Sequence, residues 1–401
     1  MRDMSRSIAT EDEYGAGAFQ KFPLTIVRGQ GATVWDDSGN EYVDCMAGYG
    51  VAIVGHCNPA VVEAVKRQAE RLITCHGSFY NDARAEFLEK LVKCSPKGLD
   101  KVLLANSGAE TNEAAIKLAR RRTGRKRIIS MVGGFHGKTF GALSATWNKK
   151  YREPFMPLLE HFDFARYGDV DSLRSLMDSD AAAVIAEPIQ GETGVILPPA
   201  DYFKEVREIC SQSGALLIMD EIQTGLGRTG KMWASEHWGV VPDIMCVSKG
   251  LAGGIPIGAV LATSEVMGSL KKGEHSSTFA GNPLACAAAS ATLSYIADAK
   301  LPSQAEAKGR LLRDSLNRIA AGHRLLREVR GLGLMLAAET RVDIHEMLLE
   351  SLKRGVIFAY SGRETFRLLP PIVINESQIQ KAIGVLESVV ADEESRRARQ
   401  N

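Results

Sequence analysis

From about residue 50 to residue 290, short β-branched or aliphatic runs alternate with longer amphipathic stretches, the pattern of an α/β domain with a largely parallel sheet. The runs "KVLLA" (101–105), "RIISM" (127–131), "AAVIAE" (182–187), "ALLIMD" (215–220), "IMCVS" (244–248) and "IGAVLAT" (257–263) read as strands. Between them, "NPAVVEAVKRQAERL" opens with Asn58 as a cap and Pro59 in the first turn, and "ETNEAAIKLARRR" puts its acids first and its bases last, as a helix dipole favours. The ends of the chain change character. "TVWDDSGNEYVDCM" (33–46) reads as a hairpin turning at Asp37 to Asn40, and residues 303–399 mix two or more helices with the short strands "GLGLMLAAE" and "TFRLLP". The expected organisation is a large domain over 51–290, flanked by one smaller α+β domain made from 1–50 and 291–401. The last residues, "EESRRARQN", are expected to fray.

With 401 residues and 45% hydrophobic content the chain can bury two cores without disulfide staples. Lys and Arg total 49 against 48 Asp and Glu, so a protein built around a nucleic-acid backbone or an anionic membrane is disfavoured. The N-terminal "MRDMSRSIATEDEYGAG" has no apolar stretch of the secretory type, and no apolar run is long enough to span a bilayer. Seven scattered cysteines suggest neither a disulfide framework nor a C-x-x-C site, and no metal cluster is expected; a reducing cytoplasm fits best. One local charge excess stands out. "KLARRRTGRKRI" gathers Lys117, Arg120, Arg121, Arg122, Arg125, Lys126 and Arg127, either a solvated helix end or a patch for an acidic partner.

The stretch "GLGRTGKM" (225–232) carries a G-x-G-x-x-G and nearly a triphosphate-binding loop. The dinucleotide reading needs a strand running straight into the first glycine, but Asp220 and Glu221 come between, and two carboxylates there would repel a pyrophosphate. In the triphosphate reading the Ser or Thr after the lysine is replaced by Met232. A nucleotide-binding protein is therefore the weak rival reading.

The acid before the loop is more informative. Asp220 ends an apolar strand where α/β folds place ligands, and Lys249 ends the next strand ahead of a glycine-rich segment. A lysine desolvated there has a lowered pKa and can condense with an aldehyde, while a fixed aspartate can keep a pyridine nitrogen protonated. These are the two polar anchors of pyridoxal phosphate. For the phosphate there are two candidates: the helix N-terminus in "NSGAETNEAA", with the amides of Gly108 and Ala109, and the turn "HSSTFAGNP", with Ser277 and Thr278.

Together, "NSGAETNEAAIK", "GGFHGKT", "AEPIQGETG", "LIMDEIQTGLGRTGK", "SKGLAGGIPIGA" and "TFAGNPLACAAA" closely resemble the class III, ornithine-type, pyridoxal-phosphate aminotransferases, in order over about residues 20–390. The resemblance implies fold type I and a homodimer. It makes Lys249 the residue that condenses with the cofactor and the catalytic base, and Asp220 the partner of the ring nitrogen. Gln223 would contact the ring hydroxyl, Phe135 would stack on the ring with His136 beside it, and Gly108 and Ala109 would hold the phosphate, joined by Thr278 of the second subunit. Arg367 would bind the α-carboxylate of glutamate or 2-oxoglutarate, and Glu192 would pair with Arg367 when no α-carboxylate is present. Lys138, Ser277 and Tyr49 would complete the substrate pocket. Where relatives of the acetylornithine type carry arginine, Lys138 keeps the charge but not the bidentate fork. Within the family, "IVRGQGATVWDDSGNEYVDCMAGYGVAIVGHCNP" and "KYREPFMPLLE" resemble the branch that acts on aminoadipate semialdehyde tethered to an acidic amino-group carrier protein, with the acetylornithine and ornithine enzymes as alternatives.

Overall fold

Two seven-stranded sheets carry the fold, one built from the middle of the chain and the other from its two ends. The computed structural model describes residues 6–400; Met1 to Arg2 and on to Ser5, the start of the expected 1–50 segment, lie outside the described residues, as does Asn401. In the central sheet the strands run in the order Lys101–Ala105, Gly258–Ala262, Ile244–Val247, Leu216–Asp220, Ala181–Ala186, Arg127–Met131 and Phe162–Ala165. The run from Ile244–Val247 to Phe162–Ala165 is parallel throughout. All six residues of Ala181–Ala186 are buried, as expected of a parallel strand covered on both faces.

One strand departs from the parallel pattern. Gly258–Ala262 is antiparallel to both of its neighbours. Its apolar run reads like its neighbours because composition reports burial and not direction. Gly258 sits where a Cβ would come 2.8 Å from the Ser107 carbonyl oxygen, so the strand can lie close to the start of the helix Gly108–Thr123.

The second sheet joins the hairpin Thr33–Asp36 and Glu41–Cys45, preceded by Ile26–Gln30, to Val356–Ser361, Thr365–Leu368, Met335–Thr340 and Leu326–Leu332. The hairpin turns over Asp37 to Asn40, where Asp36 accepts from the amides of Ser38 and Asn40. The two ends of the chain meet through the parallel pair Glu41–Cys45 and Val356–Ser361.

Three sequence expectations change. "GLGLMLAAE" is not one strand but the turn of an antiparallel pair, with Gly333 at φ +55 and room there only for a hydrogen, since a Cβ would meet the Thr229 carbonyl carbon at 2.5 Å. The division at 290/291 falls inside the helix Pro283–Asp298, which Asn282 caps by accepting from the Ala285 amide at 2.8 Å. Most of the stretch expected to fray is helical: the helix Glu376–Ala398 takes in residues 393–398, where Glu393 accepts from Arg396 and Arg397 at 2.6 Å. Among the described residues, no helix is long and apolar enough to cross a membrane.

Candidate active site

The C-terminal ends of the parallel strands converge on one set of polar side chains, the position in which open α/β sheets bind ligands. Asp220 closes Leu216–Asp220 and is buried. Its Oδ2 accepts from Asn112 Nδ2 and lies against His136 Nδ1, each at 2.8 Å, while Oδ1 accepts from the Ile222 amide at 3.1 Å. An ionised carboxylate with three partners keeps acceptor capacity for one more donor. Asn112 lies on the helix Gly108–Thr123 and also donates to the His136 carbonyl at 2.7 Å, which ties that helix to the strand end.

Lys249 follows Ile244–Val247 with φ +39, a left-handed conformation rare outside glycine and concentrated at functional sites. The next residue must be small, since a Cβ on Gly250 would come 2.7 Å from Ile53 Cγ2. Burial, and then the Arg367 guanidinium, push the Lys249 amine down to about 8, against the opposing pull of Glu187, Asp220 and Glu192.

Around these two groups the structure answers the requirements of pyridoxal phosphate with donors and acceptors that the protein leaves unused. The amides of Gly108 and Ala109 head their helix without partners among the described residues, because the Ser107 cap serves Glu110. Ala109 packs against Gly137, where a Cβ would approach its own Cβ to 2.8 Å, so a small residue suits both positions. Gln223 donates to the Tyr49 carbonyl at 3.0 Å and leaves Oε1 buried without a partner, an amide end that a ring hydroxyl can satisfy. A Cβ on Gly191 would lie 1.9 Å from that oxygen, so Gly191 is what lets Gln223 sit there. Phe135 is fixed by its amide, which donates to Glu187 at 3.0 Å.

On the substrate side, Arg367 is fully buried and donates from Nε to the Tyr360 carbonyl and from Nη1 to the Gly191 carbonyl, at 3.1 and 2.7 Å. Its Nη2 faces Glu192 Oε2 at 3.7 Å, and its guanidinium lies 5.1 Å from the centre of the Tyr49 ring. Tyr49 is itself left-handed, at φ +59. Lys138 is exposed at the rim, with Nζ 4.6 Å from the centre of the Tyr151 ring.

The structure therefore gathers Lys249, Asp220, His136, Phe135, Gln223, Gly108, Ala109, Arg367, Glu192, Tyr49 and Lys138. Ser277 is reached through Asn106, whose Nδ2 donates to Ser277 Oγ at 2.7 Å. Thr278 is different: it is exposed, beside an exposed Phe279. The glycine loop 225–230 belongs to the packing around the site. It presses on Pro302 and Glu306 of the helix Leu301–Gly322, and its buried Arg228 donates to the carbonyls of Leu334 and Pro370.

Two residues of the site escaped the sequence reading. Glu187 follows an all-apolar strand just as Asp220 does, and the same argument would have found it; burial pushes its carboxyl up to about 7 while it accepts from the amides of Phe135 and Gly191. Tyr151 donates to Glu192 at 2.8 Å and packs edge-on against Phe135, with ring centres 5.9 Å apart. Nothing in "NKKYREPF" marks it.

The comparisons with known proteins agree with this geometry. The sequence profile of the family Aminotransferase class-III matches residues 14–390. The chain is 48% identical, over 94% of its length and 96% of the relative's, to the acetylornithine aminotransferase of Methanopyrus kandleri. It is 46% identical to the [LysW]-aminoadipate semialdehyde transaminase of Deinococcus radiodurans, over 99% of this chain and 92% of that one. Among solved structures, an ornithine aminotransferase from Toxoplasma gondii superposes with a TM-score of 0.95 at 36% identity, covering 98% of this chain and 95% of that one.

Proposed function

The chain belongs to the class III aminotransferases, enzymes that use pyridoxal 5′-phosphate, and on that premise we propose that it moves an amino group between glutamate and the terminal aldehyde of a substrate tethered to an acidic carrier protein. The cofactor, when bound, supplies the carbonyl that accepts the amino group and a protonated ring that takes up an electron pair.

The chain's own residues do the rest. Asp220, oriented by Asn112 and His136, would pair with the ring nitrogen and keep its proton in place. Gly108 and Ala109 would bind the phosphate through their amides, with Thr278 of a second subunit completing that end in a homodimer. Phe135 would pack against the ring and Gln223 would hold the ring oxygen. Lys249 Nζ, largely neutral above its lowered pKa, takes the proton from the amine-bearing carbon of the substrate and can return it after the amino group has moved.

The observation that carries the proposal is the pairing of a buried Arg367 with the partly exposed Glu192. Glutamate brings an α-carboxylate that Arg367 can bind; a terminal amine or aldehyde has none to offer, so Glu192 covers the guanidinium and no buried charge stands alone. One pocket thus serves two unlike substrates in turn. Lys138 at the rim offers a single cationic point for the carboxylate farther along the aldehyde substrate, without the grip of an arginine fork. The relatives support two forms of that substrate at similar identity, one named for acetylornithine and one for [LysW]-aminoadipate semialdehyde. Both align over nearly the whole chain, so identity does not separate them; we take the carrier-linked form as the first reading and free acetylornithine as the second.

A substrate comparison tests this directly. With 2-oxoglutarate as acceptor, kcat/KM is measured for carrier-linked lysine, carrier-linked ornithine and free acetylornithine. Preference for the free acetylated amine would overturn the carrier reading and leave the aminotransferase intact. The seven cysteines are all free, in keeping with a reducing cytoplasm as the place of work.

A further inference from the structure

We infer that Tyr151 is a positioning residue for the exchange of substrates: its hydroxyl is the berth to which the Glu192 carboxylate withdraws when Arg367 receives a substrate carboxylate. The inference rests on the reading of Arg367 as the α-carboxylate site and assigns a role to a residue outside it.

The Glu192 carboxylate is held unequally. Tyr151 donates to Oε1 at 2.8 Å, a full hydrogen bond, whereas Arg367 Nη2 stands 3.7 Å from Oε2. Arg367 cannot follow a moving partner, because its Nε and Nη1 are committed to the carbonyls of Tyr360 and Gly191. A substrate carboxylate must therefore come to the Nη2 edge that Glu192 now faces, and Glu192 must yield.

The backbone around Glu192 is pinned on both sides. Ser361 Oγ donates to the Glu192 carbonyl, and the Gly191 amide donates to Glu187 at 3.1 Å. Yielding is thus a matter of side-chain torsions, and the displaced carboxylate needs a donor within their reach. The Glu192 side chain is 37% exposed, so water can serve in part, but a fixed protein donor holds the carboxylate in one place clear of the arginine. Tyr151 is that donor.

The phenol is built to stay in place and to donate. Its ring packs edge-on against Phe135 and carries the Lys138 ammonium 4.6 Å from its centre. Burial and the Glu192 carboxylate raise its pKa, so the hydroxyl keeps its proton at any working pH. Its segment, Lys149–Arg152, is a single turn capped by Asn148, whose side chain accepts from the Lys150 amide at 3.0 Å.

Tyr151→Phe removes the berth and keeps the ring. With each half-reaction of the holoenzyme followed separately, KM for glutamate is expected to rise about tenfold, with its maximal rate and the aldehyde half-reaction both within about twofold of the parent. Adding Glu192→Gln to Tyr151→Phe is expected to bring KM for glutamate back, because a neutral amide does not compete for the guanidinium. Glutarate, which binds without reacting, gives a readout apart from turnover: calorimetry of the holoenzyme should show weaker binding to Tyr151→Phe and recovery in the double variant. Equal losses in both half-reactions, or a double variant that simply sums the two single ones, would overturn the inference. Arg367→Gln separates it from its premise. If that variant binds glutarate as the parent does, the reading of Arg367 fails; if it loses glutarate while Tyr151→Phe does not, the berth fails alone.

Discussion

His136 places Nδ1 2.8 Å from Asp220 Oδ2 with both side chains buried, so the aspartate is oriented by a ring it cannot leave. Asn112 holds the same oxygen, so two buried side chains fix the carboxylate that we propose as the partner of the ring nitrogen.

Asp220→Asn keeps the shape of this arrangement and removes its charge. The phosphate end, built from Gly108 and Ala109 on another element, is untouched, so the variant should still bind the cofactor. Both half-reactions should slow by about a thousandfold or more, about 4 kcal/mol of barrier, because the electron sink is lost. Single-turnover rates measure this, and rates within about tenfold of the parent would take Asp220 out of the chemistry.

The lowered pKa of Lys249 predicts a pH profile. In cofactor-free protein the amine is protonated below about 8 and neutral above it, and only the neutral form attacks an aldehyde. Recapture of pyridoxal phosphate, fixed with borohydride and counted as protein-bound label, should quicken about tenfold per pH unit below that point and level off above it. An ordinary lysine would go on rising toward about 10.4. Lys249→Ala should retain no label.

How far the sequence foretold this site depends on what each residue needs. Asp220 and Lys249 were legible because a charged residue at the end of an apolar strand is chemically conspicuous, and the cap at Asn58 follows from local chemistry. The left-handed backbones of Tyr49 and Lys249 were not, since tertiary packing imposes them against the preference of the residue. Nor was Tyr151, whose role exists only because a segment 41 residues away brings Glu192 to it. The direction of Gly258–Ala262 was hidden for a similar reason: an apolar run tells how deep a strand lies and nothing of its neighbours.

Glu192→Gln tests the gate itself. A neutral amide cannot cover the guanidinium, so Arg367 stays open to glutamate, and that half-reaction should hold or improve. The aldehyde half-reaction should weaken, because the buried cation then has no anionic partner while that substrate is bound. Stopped-flow measurement of each half-reaction decides, and equal losses in both would make Glu192 a structural residue.

Most arginines of the basic run at Lys117 to Arg127 are drawn into bonds within their own chain, which weighs toward a solvated helix end over a docking patch for an acidic carrier. Arg121 pairs with Glu274, Arg122 with Glu265, and Arg127 with Asp163 and Asp178, while Arg125 donates to the carbonyls of Ala181 and Ser213. The arginines also end a helix of 16 residues, about 24 Å from the N-terminus that borders the site. Arg121→Glu with Arg122→Glu should therefore change kcat/KM for carrier-linked and free substrates alike, by no more than about twofold, since exposed pairs are worth roughly 0–1 kcal/mol. A selective loss with the carrier-linked substrate, deepening as salt is lowered, would restore the patch.

The glycine loop yields the last prediction, because its arginine decides between a nucleotide cradle and a structural clasp. Arg228 is fully buried, and its Nη1 donates to the carbonyls of Leu334 and Pro370, which joins the loop after Asp220 to the turn at Gly333 and to the chain just beyond Arg367. A guanidinium buried completely beneath the loop is out of reach of a phosphate arriving from solvent. Arg228→Ala leaves a cavity and two buried carbonyls without donors, which should cost about 3 kcal/mol or more and lower Tm by several degrees. A nucleotide bound at this loop would raise Tm by mass action, so millimolar ATP or NAD should leave the melting of the parent protein unmoved, whereas pyridoxal phosphate should raise that of the cofactor-free protein. Stabilisation by a nucleotide, lost on replacing Arg228, would reinstate the loop as a binding site; a variant that melts with the parent would show that the clasp carries no weight.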